Sequence, residues 1–313
     1  MSLTRITEKN VDAFIAFVIE YGEDEAREFL ERTDARPMIL KRGEDYFFAR
    51  DGQDNEATAS IIRTPHRDGV TFEISLYIIT KTESDACFDR TLRTFLDFEM
   101  REPIFVPRRY LLVETPEKPL PPEPLAALGF KKVAGRGKCR RDAGPAEPGT
   151  FPLADKALAR GYVTERVTAA SLAAYPDLAE QMAEIFSQAF ATRTSAGTRD
   201  AEDMRRRLDD EHNHIVGIRL GGTLVGFSTW TAFGEEILGS DIAVRRSHWG
   251  SGAADALCRH IINDVHAQTG KPIVTYVDVT NTASSHMLER VGFRLVEDYP
   301  FWERMIAADE SPL

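Results

Sequence analysis

Six consecutive residues, Trp249-Gly250-Ser251-Gly252-Ala253-Ala254, set two glycines and a run of small side chains at the start of an apolar-striped segment. Such a pattern can bind an anion without basic side chains. The first turn of a helix presents unpaired backbone N–H groups and a partial positive charge, and phosphate groups bind there. Gly250 and Gly252 carry no Cβ to block close approach, and Ala253 and Ala254 keep the following positions small. An extended pyrophosphate can then lie along the amides. Taken alone, Gly-x-Gly before a helix fits a tight turn equally well. The third glycine and following acidic residue of a dinucleotide site are missing, and so is the Gly-Lys-Ser/Thr of a triphosphatase loop.

A second group follows the next β-rich run: Asn281-Thr282-Ala283-Ser284, leading into Leu288-Glu289-Arg290-Val291-Gly292-Phe293. Asn281 at a strand end offers both a donor and an acceptor, and Ser284 begins a short helix. Asp241-Ile242-Ala243-Val244 ends the strand before the glycine loop.

The order Asp-Ile-Ala-Val, Trp-Gly-Ser-Gly-Ala-Ala, Asn-x-x-Ser, Leu-Glu-Arg-Val-Gly-Phe resembles the GNAT superfamily of acetyl-CoA-dependent N-acyltransferases. The resemblance covers about residues 161–308. It implies acetyl-CoA as co-substrate, with its pantetheine arm along Ile242, Ala243 and Val244. Its pyrophosphate would lie on Trp249, Gly250, Ser251, Gly252, Ala253 and Ala254, and its amide side near Asn281 and Ser284. Trp249 stands where the family usually has Arg or Gln. The acceptor implied is a small-molecule primary amine or a protein N-terminus. An alkyl ammonium has a pKa near ~10 and must lose a proton before it attacks a thioester. Asp241 is the first candidate base and Glu236, at the start of the same strand, the second. The family's tyrosine acid falls at Leu288, so either no acid is needed or Tyr299 supplies it. Cys258, in an apolar stripe, reads as core and not as a nucleophile. Arg205-Arg206-Arg207 reads as a solvated face, and Thr192–Asp200 would border the acceptor. The competing reading is a non-catalytic CoA-binding regulatory or scaffold protein.

These groups need a mixed α/β scaffold. Strands are expected at 162–167, 214–218, 224–230, 236–244 and 273–279. Gly221-Gly222 is the turn of a hairpin. Helices are expected at 178–191, from Asp200 as cap, at 251–268 and at 283–290. Gly144, Pro145, Pro148 and Gly149 mark a linker and divide the chain into 1–150 and 151–313. Leu128-Gly129-Phe130 repeats 163 residues later as Val291-Gly292-Phe293, each after a β-rich run. The fold expected is therefore two tandem acyl-CoA N-acyltransferase-like domains, each a mixed, mostly antiparallel sheet flanked by helices. In the first copy Asp85, Cys87 and Asp89 fall at Gly250, Gly252 and Ala254, and five prolines from Pro116 to Pro124 interrupt the later connector. Carboxylates there repel a pyrophosphate, so this half is expected not to bind CoA.

The 313 residues suit two domains. The net charge is -11, and neither half is basic, which argues against nucleic acid as partner. No apolar run spans a membrane and no signal peptide is visible. Cys87, Cys139 and Cys258 are odd in number and far apart, which fits a reducing, cytoplasmic setting with no metal site. A monomer or a homodimer is expected.

Overall fold

The computed structural model describes the chain except residues 24–25, 28–29, 32–34, 53, 66–69, 102–105, 116–118, 148, 191–198 and 309–313. Pro116 and most of the segment 192–200 therefore lie outside the described residues. The chain forms two compact units. Unit 1 holds Met1–Gly135 and Tyr299–Leu313, and unit 2 holds Arg136–Asp298.

In unit 1 the strand order is β1 (Ser2–Arg5), β2 (Tyr46–Asp51), β3 (Asp54–Pro65), β4 (Phe72–Thr80) and β5 (Arg108–Val113). The sixth strand is the Phe301–Ile306 part of β12 (Arg294–Ile306). β1 to β4 pair antiparallel, β5 lies parallel to β4, and β12 runs antiparallel to β5. Alternation along β2 sends Phe47 and Phe48 to opposite faces. Phe47 packs with Phe88, Leu92 and Phe95 of the helix Asp85–Glu99. Phe48 packs with Phe14, Phe17 and Val18 of the helix Val11–Tyr21.

Unit 2 repeats the arrangement. Its order is β7 (Tyr162–Val167), β8 (His214–Leu220), β9 (Thr223–Phe233), β10 (Glu236–Val244) and β11 (Ile273–Asp278), then the Arg136–Arg141 part of β6 (Lys131–Arg141). Again four strands pair antiparallel, the fifth lies parallel to the fourth, and the sixth runs antiparallel. The helix Ala253–Gln268 covers one face with Ala256, Leu257, Ile261, Ile262 and Val265. The helix Leu178–Ala189 covers the other with Met182, Ile185 and Phe186. Thus each unit takes its sixth strand from the sequence half that builds the other.

The repeated Gly-Phe has a local cause. Gly129 and Gly292 both end a short helix with positive φ, at 78° and 89°. Phe130 N–H donates to Leu125 O and Phe293 N–H to Leu288 O, each at 2.9 Å. This six-to-one bond closes a helix end and needs a left-handed residue before it. Each motif then launches the long strand that completes the opposite unit.

The expected strands at 162–167 and 236–244 and the Gly221-Gly222 hairpin turn are present. Asp200 caps its helix, with Asp203 closing a capping box. The helix expected from Ser251 starts at Ala253, because Gly252 sits at φ 89° as its cap. The chain ends in one long strand, Arg294–Ile306. A helix at Pro152–Ala159, without a counterpart among the sequence expectations, packs its Ala154 and Ala157 into the core of unit 2.

Candidate active site

The site begins as a gap in the sheet of unit 2. β10 and β11 pair only over Ile237–Gly239 with Ile273–Thr275. Beyond Gly239, β10 runs on to Val244 held by β9 alone. A bulge at Ser240, between Gly239 and Asp241, begins the divergence. It also reverses which face each side chain meets. Ile237 lies in the core under the helix Ala253–Gln268, as do Val244 and, partly buried, Ile242. Ala243 lies in the opposite core, under the helix Leu178–Ala189. Asp241, two residues from Ala243, shares that opposite face.

A cavity of about 610 Å³ passes through this gap. Ala189 and Phe190 line it from one face of the sheet, and Ala253, Ala254, Met287 and Leu288 from the other. Of the residues expected to hold the donor, Ile242, Val244, Trp249, Gly250 and Gly252 also line it, together with Asn281 and Ser284. Ala243 does not, because its side chain is fully buried on the far face. Ser251 serves the loop itself: its hydroxyl donates to His248 O at 2.6 Å and accepts Ala253 N–H at 3.2 Å.

The two glycines have different reasons. At Gly252 (φ 89°) an added Cβ would stand 2.1 Å from the Leu153 carbonyl oxygen, so the neighbouring chain occupies that space. At Gly250 (φ 73°) a Cβ would meet nothing within 4 Å, and the space belongs to the cavity mouth. Among the described residues, the amides of Gly250, Gly252, Ala254 and Asp255 have no acceptor. They form a cradle of N–H donors at a helix N-terminus. Trp249 is 53% exposed, and its indole N–H donates to Val244 O at 2.9 Å. Asn281 is half committed. Its side-chain oxygen accepts Ser284 N–H at 3.1 Å as a helix cap, leaving the amide NH2 for a ligand.

Among the wall residues that sequence reasoning missed are Ser240, Tyr276, Asp278 and Arg290. Arg290 is held at 3.0 and 3.2 Å by Asp255, a buried carboxylate in the first turn of the loop helix. That pair fixes a guanidinium on the cavity wall near the free amides. Leu-Glu-Arg in the sequence carried the arginine, but its partner at 255 is joined to it only by the fold.

Asp241 is ion-paired with Arg207 of the helix Ala201–Asp209. Its backbone oxygen accepts the Ser228 hydroxyl at 2.7 Å. Glu236 faces Lys138 at 3.6 Å and Arg140 at 3.4 Å, and neither Glu236 nor Asp241 lines the cavity. Leu288 is an apolar wall, and Tyr299 is buried in unit 1. Burial pushes the Cys258 thiol up to about 12, with Asp255 adding to the shift, so no thiolate nucleophile exists there at neutral pH. Among the described residues no group of His, Cys, Asp and Glu is placed to hold a metal.

The donors, the open strand edge and the space above Gly250 suit an extended anionic ligand that carries amide groups. Residues 179–293 match the acetyltransferase (GNAT) family. Over the whole length the chain has the fold of tandem GNAT proteins. A tandem GNAT protein from the clavulanic acid biosynthesis pathway aligns at 15% identity and a TM-score of 0.62, covering 99% of each chain. A GCN5-related N-acetyltransferase from Sphaerobacter thermophilus aligns at 14% identity and 0.61, covering 99% of this chain and 96% of that one. Another from Kribbella flavida aligns at 14% and 0.59, covering 96% and 70%. No curated protein sequence matches the chain.

Proposed function

We propose that unit 2 moves an acetyl group from acetyl-CoA to a primary amine, with both bound at once. One observation carries this reading: a single cavity reaches both faces of the sheet through the β10–β11 gap. Donor and acceptor then approach from opposite faces and meet in the gap.

Acetyl-CoA supplies an activated thioester whose thiolate is a fair leaving group. The chain's own residues do the rest. The free amides of Gly250, Gly252 and Ala254 hold the pyrophosphate. The open edge of β10 past Ser240 pairs with the amide-bearing arm, and the Asn281 NH2 fixes its side. Backbone N–H groups near Ala243 and Val244 stabilise the negative charge that develops on the reacting oxygen. Asp241, on the acceptor face, takes the ammonium proton, and Arg207 keeps that carboxylate aimed. Glu236, engaged by two cations, is the second choice. With Leu288 on the wall, the thiolate leaves without a protein acid.

The test is thiol release from acetyl-CoA across an amine panel. Asp241→Asn is expected to lower kcat ~100-fold and leave acetyl-CoA affinity unchanged. An unchanged kcat removes Asp241 as base. Acetyl-CoA binding with no thiol release on any amine favours a regulatory or scaffold role.

A further inference from the structure

The acceptor face of unit 2 carries charge that the transfer reading leaves unused. Three arginines in a row, Arg205, Arg206 and Arg207, are each paired, with Glu180, Asp203 and Asp241 respectively. Arg199, just before that helix, is not. Among the described residues it has no ion pair and no hydrogen bond, and its Nε is fully buried without a partner. Burial pushes its pKa below the ordinary guanidinium value, and nearby Arg207 adds to the shift. A half-buried, unpaired cation is costly to keep.

Its position is specific. The guanidinium lies 5.8 Å from the Phe186 ring, and Phe186 packs on Phe190 at 4.4 Å between centroids. Phe190 lines the cavity on the acceptor face. Across the gap a second arginine repeats the arrangement. Arg136 sits 4.9 Å over the ring of Tyr276, a cavity residue, and its buried Nε also has no partner. Beside it, Lys138 and Arg140 both face Glu236, and Arg140 also faces Asp142. Arg199 and Arg136 thus each hold a buried Nε without a partner among the described residues.

We infer that the acceptor amine carries a carboxylate, and that Arg199 is the residue that selects it. This rests on the transfer reading above. A guanidinium offers a planar fork of donors that matches a carboxylate. Binding supplies the partner that Arg199 lacks. It also directs the amine toward Asp241, whose charge suits the ammonium end of the same molecule. Arg136 contributes to the field at the mouth and is secondary.

The test uses full-length protein with CoA present and matched amines: phenylalanine against phenethylamine, lysine against cadaverine, and phosphoethanolamine against ethanolamine. Binding is followed by calorimetry with CoA, and turnover by thiol release with acetyl-CoA in its place. The carboxylated member of each amino-acid pair is expected to bind more tightly. Arg199→Gln should weaken that member about 10- to 100-fold, leaving its decarboxylated partner and acetyl-CoA unaffected. Arg199→Lys should recover part of the loss. The melting temperature of Arg199→Gln should hold or rise, because an unpaired buried charge is removed. Several results would overturn the assignment: equal weakening of both members, no carboxylate dependence in binding or turnover, preference for phosphoethanolamine over every carboxylated amine, or a lower melting temperature. Carboxylate-dependent binding with no thiol release would sink the transfer reading and leave Arg199 as a carboxylate site.

Discussion

At Gly252 an added methyl group meets the Leu153 carbonyl, whereas at Gly250 it meets open space. The same substitution therefore has two outcomes. Gly252→Ala is expected to cost about 2–5 kcal/mol, from left-handed strain plus overpacking. Gly250→Ala is expected to cost only about 1–2 kcal/mol, but to weaken acetyl-CoA binding about tenfold. Thermal melts and calorimetry separate them; equal stability losses would refute the contrast. His260 gives a pH prediction. It lies on the loop helix with Nδ1 2.9 Å from the Thr164 hydroxyl, and burial pushes its pKa below the ordinary 6.5. A base whose folded pKa is depressed adds nothing above 6.5, where both states are neutral. Below 6.5 the unfolded chain binds the proton first, so stability falls as pH falls. His214, stacked 3.8 Å from Trp230 and also lowered by burial, adds in the same direction. Melting temperature should drop between pH 6.5 and 5.5, and His260→Gln should flatten that slope. An identical slope would exclude His260 as a source.

Among the elements, β12 has the largest consequence. Its Phe301–Ile306 part is the sixth strand of unit 1, where Trp302 and Ile306 are buried. Removing residues 299–313 takes that strand and both side chains. Fast amide exchange is expected along β5, with acetyl-CoA binding by unit 2 retained. Protected β5 amides in the truncated chain would show that the strand is dispensable. The loop helix makes the complementary point. Aligned with Ile79 on Val244, the helix Asp85–Glu99 of unit 1 starts where unit 2 has Gly250. Cys87 and Phe88 N–H both donate to Ser84 O at 3.0 Å. Helix thus replaces the loop, and Cys87, which stands at the Gly252 position, has its amide bonded.

For the whole molecule, this difference implies one donor site. Calorimetry on the intact chain is expected to give one acetyl-CoA per chain, and Gly250→Ala should weaken that single event. Two equivalent binding events would mean that unit 1 also binds CoA. Duplication is visible at this scale as the same strand directions in both units. The loss of the loop in one copy is how a repeated fold becomes one candidate active unit and one supporting unit.

The sequence by itself determined the local features. Gly-Phe at a helix end, Gly-Gly in a hairpin, and Gly250 with Gly252 before a helix each depend on positive φ, which few residues adopt, and Asp200 with Asp203 on local side-chain capping. Short-range rules therefore made them legible. Tertiary structure alone decided what depends on partners distant in the chain. The exchange of β6 and β12 rests on pairing across more than a hundred residues. The bulge at Ser240 put Asp241 on the face opposite Ile237. Asp255 met Arg290, and Arg207 met Asp241, while Arg199 has no ion pair among the described residues. Charges attract whichever partners the fold delivers, and no spacing rule along the chain encodes that delivery.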